Sequence, residues 1–246
     1  MAVETTLLHF AIVTFTVDPE QLRSHLHPRF EPDRIIDADG VSRALVSAVT
    51  FLDRDFRFVA LPWLRGHFGQ TNYRAYVTDR QTGEHVVWFF GTCLDSWSVL
   101  VPRHAWQLPW HRARMRFDCE HDQARQAYSR FRIDTASDWA PAQLELEDTG
   151  RPPAALAGFT NLESGLVLLT HPLRGYFRRR DGRLGSYAIW HPRLEPRAGR
   201  VTVANYPLLQ TLGLVADGDT PRVHSVLLQG SIDFTIYLPP ARVGHD

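Results

Sequence analysis

Within fifteen residues, VPRHAWQLPWHRARM from Val101 to Met115, the chain sets three arginines, two histidines and two tryptophans around a Leu-Pro step. Arg103, Arg112 and Arg114 carry guanidinium forks that bind carboxylates through paired hydrogen bonds, and His104 and His111 titrate near neutral pH. Those residue types can hold an anion and pass a proton. Trp106 and Trp110 supply flat apolar walls beside them. The competing reading is structural, with arginines on a solvated strand face and tryptophans in a core.

A second set stands in FGQTNYRAYV. The two-residue period of a strand puts Phe68, Gln70, Asn72, Arg74 and Tyr76 on one face, and Gly69, Thr71, Tyr73, Ala75 and Val77 on the other. Two amides and a guanidinium bracketed by aromatics match the lining of small-molecule sites, which are mostly apolar with a few placed polar groups. A solvent-facing polar strand gives a broadly similar pattern.

Other chemistries are excluded or weak. All 27 basic residues of the Lys+Arg total are arginine, so no side-chain primary amine is available for a Schiff base. No Gly-x-Ser-x-Gly elbow, phosphate loop or dinucleotide glycine fingerprint occurs. His25 and His27 are spaced for neighbouring ligands on a strand but fall at the end of an expected helix, so no metal and no cofactor is expected. YFRRRDGRLG is basic but centred on a turn, and the net charge of zero gives no field for nucleic acid. Cys93 and Cys119 read as reduced core residues.

The elements that must position these groups are mainly strands. At 246 residues, 44% hydrophobic and 22% charged, the chain has ample core material. Period-two runs recur at Leu7–Val17, Ser42–Phe51, Gly66–Val77, Glu84–Leu94, Gly185–His191, Arg200–Tyr206, Val223–Gly230 and Ile232–Leu238. Turns at Asp37–Gly40, Asp79–Gly83 and Arg179–Gly182 separate them and predict antiparallel meanders. Asp18 caps an expected helix with Pro19 at its first position. Further helices are expected at Ser96–Trp106 and Leu162–His171. The segment Ala140–Pro153 reads as a long surface hairpin within one domain spanning 1–246. The N-terminus lacks a basic leader and no apolar run is long enough to span a bilayer, so a cytoplasmic location is expected.

FGQTNYRAYV, VWFFGTCLDSWSVLVPRHAWQLPWHRARM and HSVLLQGSIDFTIYLPP together resemble the YqjF-like domain-of-unknown-function family of the acetoacetate decarboxylase-like superfamily. The resemblance runs from about Leu7 to the C-terminal strand. It implies an α+β fold, mostly antiparallel β, whose sheets curl into a cone-like β-barrel around a small-molecule cavity. In the decarboxylases the corresponding loop carries two adjacent lysines, the first forming the Schiff base; here Trp110 and His111 stand in their place after Pro109. Many YqjF-like members carry glutamate where this chain has Gln70, whereas Phe68, Asn72, Arg74 and Tyr76 match. The resemblance thus implies a site in which Gln70, Asn72, Arg74, Tyr76, Arg103, Trp106 and Trp110 bind a carboxylate or carbonyl compound. His111 is then the proton carrier and Asp95 its orienting partner. Two functions follow: an enzyme using non-covalent acid-base chemistry on an oxo-acid or similar metabolite, or a non-catalytic ligand-binding or assembly protein. Oligomers of the related decarboxylases and exposed sheet edges point to self-association. No nucleic-acid or membrane partner is expected.

Overall fold

The computed structural model describes residues 2–215 and 222–243. Along the chain run β1 (Ala2–Val17), α1 (Pro19–His25), β2 (Phe30–Pro32), β3 (Arg34–Ile36), β4 (Ser42–Phe58), β5 (Leu61–Asp79) and β6 (His85–Leu94). The middle holds α2 (Leu100–Ala105), β7 (Trp110–Arg112), β8 (Arg114–Asp122), β9 (Ala127–Ala136) and β10 (Ala142–Asp148). The rest comprises α3 (Leu162–Thr170), β11 (Arg174–Arg178), β12 (Leu184–Trp190), β13 (Arg197–Asn205), α4 (Pro207–Thr211) and β14 (Val223–Arg242). The expected mostly antiparallel sheet with few helices is the architecture found.

Seven strands follow one another in the order β1-β4-β5-β6-β11-β12-β14, and β14 pairs back onto β1, so the row closes into a ring. Only β6 with β11 and β6 with β7 run parallel among the described pairings. A second row, β13-β10-β9-β8, joins the ring where Arg197 and Ala198 pair with Leu228 and Leu227.

Closure gives each ring strand an inner and an outer face, and the apolar residues divide accordingly. Inside lie Leu7, Ile12, Val49, Phe51, Tyr76, Phe89, Phe177, Leu227 and Ile232, with Leu169 of α3 packed among them. Outside, Val13, Ala48, Tyr73, Ala75 and Cys93 pack against Phe131, Ile133, Leu144 and Leu146 of the second row. Burial of both faces explains why the ring strands read as long apolar runs.

Local signals hold at several places. The Asp18 carboxylate accepts from the Glu20 and Gln21 backbone N–H groups and opens α1. The Leu162–His171 expectation matches α3. The expected Ser96–Trp106 helix is instead a 3-10 turn, Trp97–Val99, running into α2. The larger difference is at Ala140–Pro153: β10 is an interior strand of the second row, paired with both β9 and β13. Leu144 and Leu146 are buried against the ring, and the alternating glutamates face away. A strand with one apolar face looks like an exposed hairpin until the surface that covers it is known.

Candidate functional site

β5 pairs with β4 and β6 without a bulge of its own from Phe68 to Tyr76, so Phe68, Gln70, Asn72, Arg74 and Tyr76 form one unbroken inward row. The Gln70 side-chain amide donates to Asn72 Oδ1 at 2.8 Å, and Thr92 Oγ1 donates to the same oxygen at 2.8 Å. Tyr76 OH is 2.8 Å from Ser47 Oγ and donates to the Leu169 carbonyl at 3.1 Å. Arg74 Nη2 donates to that carbonyl at 2.8 Å and to Tyr76 OH at 3.3 Å. Its Nε is buried with no hydrogen-bond partner.

Two arginines are buried among the described residues, Arg74 and Arg179. Arg179 is held by the Asp181 carboxylate at 2.9 Å. Arg74 has no carboxylate partner among the described ion pairs, only neutral oxygens. A buried guanidinium without a counter-charge costs several kcal/mol, roughly, unless an anion shares its site. Around it, Tyr187 stacks on Phe89 at 5.4 Å, and burial lifts its phenol well above the ordinary range while Arg74 opposes that rise. His191 stacks on Phe234 at 4.4 Å, and burial, His171 and Arg74 together lower its pKa.

The Val101–Met115 stretch divides between the two faces. β7 runs parallel to β6 with Thr92 opposite Trp110 and Cys93 opposite His111. Trp110 therefore turns inward, packing with Phe68, Leu94 and Val99, while His111 turns outward and stacks on Trp139 at 4.1 Å. The structure does not bring His111 to Arg74. Burial, then Arg103, then Arg180 push its imidazole down to about 4. Arg103 Nη1 donates to the Trp110 carbonyl and lies 3.4 Å from His111 Nδ1, so it braces β7 rather than joining the inward row. Asp95 accepts from the Met115 backbone N–H at 3.2 Å instead of orienting His111. His25 lies 2.7 Å from the Leu212 carbonyl, and no metal-binding group of three or more His, Cys, Asp or Glu occurs among the described residues.

At the Phe68 end the row opens into an apolar pocket of about 470 Å³, walled by Phe56, Phe68, Leu94, Val101, Trp106 and Trp110. Trp106 and Trp110 thus share a pocket with the start of the β5 row. Sequence reasoning missed Asp53. It pairs with Leu7 and Phe68 on the inner face, is 1% exposed, accepts from Thr5 Oγ1 at 2.9 Å and leaves Oδ2 without a partner. Burial pushes its carboxyl up to about 7. A signal was present: in LVSAVTFLD, the apolar phase of Leu45, Val49 and Phe51 arrives at an aspartate.

A family model described as an uncharacterized conserved protein, DUF2071, matches residues 4–228. No curated protein matches the chain. Among solved structures, an acetoacetate decarboxylase-like enzyme from Sphingomonas wittichii RW1 superposes with a TM-score of 0.65 at 14% identity, covering 98% of this chain and 92% of that one. Acetoacetate decarboxylase from Legionella pneumophila gives 0.61 at 14% identity over 99% and 88%. The enduracididine biosynthesis enzyme MppR complexed with pyruvate gives 0.62 at 14% identity over 98% and 90%. At such identity the likeness establishes the acetoacetate decarboxylase-like fold.

Proposed function

The chain belongs to the DUF2071 family, and for this member we propose that the interior of the strand ring binds a small carboxylate or oxo-acid at Arg74. The observation that carries the reading is the buried Arg74 guanidinium, held among the described residues by neutral oxygens alone and with its Nε unpartnered there. An arriving carboxylate satisfies both the charge and the free donor. Gln70 and Asn72 stand four and two residues from Arg74 along the same face, where their amides can meet a carbonyl oxygen. One structural relative is described in complex with pyruvate, a ligand of this chemistry.

The lysine-free sequence rules out a Schiff base on a lysine, so the decarboxylase route of the relatives does not transfer. His111 and Asp95 have no part in the reading, because each is engaged on the outer side.

Calorimetric titration with pyruvate and with acetate tests the proposal. Native protein binds, and Arg74→Gln weakens binding by about tenfold or more, the worth of a charge-assisted hydrogen bond. Unfolding curves for the variant establish that it folds. Equal binding by a folded Arg74→Gln protein would overturn the reading.

A further inference from the structure

We propose that the ligand is amphipathic: its carboxylate meets Arg74 and its apolar tail lies in the pocket walled by Phe56, Phe68, Leu94, Trp106 and Trp110. The inference rests on the reading of Arg74 above for the head, and on the pocket itself for the tail.

Three observations carry it. First, pocket and polar row adjoin. Phe68 belongs to both, and Leu94, another pocket wall, is the strand partner of Gln70. Gln70 keeps partial exposure while Asn72 and Arg74 are buried, so the polar row meets accessible space at its pocket end.

Second, the spacing suits a tail. Trp110 lies level with Asn72 through Thr92, two residues from Arg74, and Phe68 lies six residues from Arg74. At about 3.3 Å per strand residue these are roughly 7 and 20 Å. A ligand as short as pyruvate that engages Arg74 cannot fill the pocket, whereas an aryl or alkyl acid can reach it.

Third, the pocket's volume, about 470 Å³, is far larger than pyruvate needs and falls in the range of sites that enclose whole small molecules. Its walls are mainly aromatic and aliphatic; of its polar members, Arg65, His67 and Ser98 stand at the exposed rim and Ser96 is half-buried.

Pyruvate against phenylpyruvate, and acetate against octanoate, are titrated into native protein, Arg74→Gln and Val101→Trp. Val101 is 66% exposed on α2 and lines the pocket, so the larger side chain fills space there without entering the core. Native protein binds the longer acid of each pair about tenfold more tightly or better, the return for removing a phenyl or alkyl tail from water. Val101→Trp abolishes that preference and leaves pyruvate binding unchanged, whereas Arg74→Gln weakens all four acids. Equal affinity for short and long acids overturns the proposal. So does a tail preference that survives Val101→Trp in a folded protein. If Arg74→Gln changes nothing while Val101→Trp still removes the preference, the Arg74 reading fails and the tail pocket stands. If Val101→Trp alters sedimentation and not selectivity, the pocket is an interface between copies and the ligand reading is overturned.

Discussion

A guanidinium and a carboxyl, both buried and both short of one partner, face the inside of the same ring without being able to pair. Asp53 stands opposite Phe68, six residues from Arg74, or about 20 Å along β5. Asp53 thus has no cation partner among the described residues, and burial outweighs its bond from Thr5, so its carboxyl rises from 3.8 to about 7. The native state then binds this proton more tightly than the unfolded chain, so the stability contributed by Asp53 is greatest below about pH 4 and is lost as pH rises through about 7. The loss is on the order of 4 kcal/mol over that window. Asp53→Asn keeps the Thr5 bond and removes the charge, so its unfolding free energy, measured in denaturant across this range, loses most of that slope. A slope equal to the native one would show that Asp53 does not titrate there. His111 behaves oppositely: with its imidazole held near 4 by burial, Arg103 and Arg180, it is neutral at physiological pH and ill suited to trading protons there. Residue type alone made His111 attractive and passed over Asp53. Burial and neighbouring charge, which depend on the fold, reversed their standing.

Individual strands turn side chains inward or outward by parity, and bulges reset that parity. In β6, Phe89 pairs with Arg74 and Gly91 with Tyr73, leaving Phe90 as the extra residue that turns outward. In β4, Asp55 at φ 57° lies in the register shift after Asp53, which lets both Asp53 and Phe56 serve the inner side. Strict alternation read correctly along β5, where the row from Phe68 to Tyr76 has no bulge, and could not foresee the neighbours. Gly91 is a point of close approach between elements. A Cβ there would lie 2.6 Å from the Trp139 ring and 2.8 Å from the Pro109 carbonyl. Gly91→Val must push Trp139 off His111 or shift the Pro109 turn, at a cost of about 1–3 kcal/mol. Chemical denaturation measures the loss, and the emission of Trp139 should change with it. A variant as stable as the native protein would show that this contact is looser than its distances imply.

For the whole molecule, the decisive step is closure of β14 onto β1, which runs from Ala2 opposite Tyr237 to Phe15 opposite Val223. Closure turns one face of seven strands into an interior, and it assigns Trp110 to that interior and His111 to the layer outside. Placing an amine at each position tests the assignment. With pyruvate and borohydride, Trp110→Lys should acquire a covalent mass increment, because its new amine faces the Arg74 side, and His111→Lys should not. Labelling of His111→Lys alone would reverse the assignment of faces. The sequence by itself determined the strand-rich class, the turn positions, the α1 cap, the exclusion of lysine chemistry and the row from Phe68 to Tyr76, because each depends on local periodicity or on residue identity. Only the tertiary structure decided that Arg74 lacks a counter-charge among the described residues, that Asp53 and His191 share the interior, that β10 is covered and that the Val101–Met115 cluster is split between faces. Those facts depend on which distant strands meet, and hydrogen bonding across the closed ring settles that rather than any spacing along the chain.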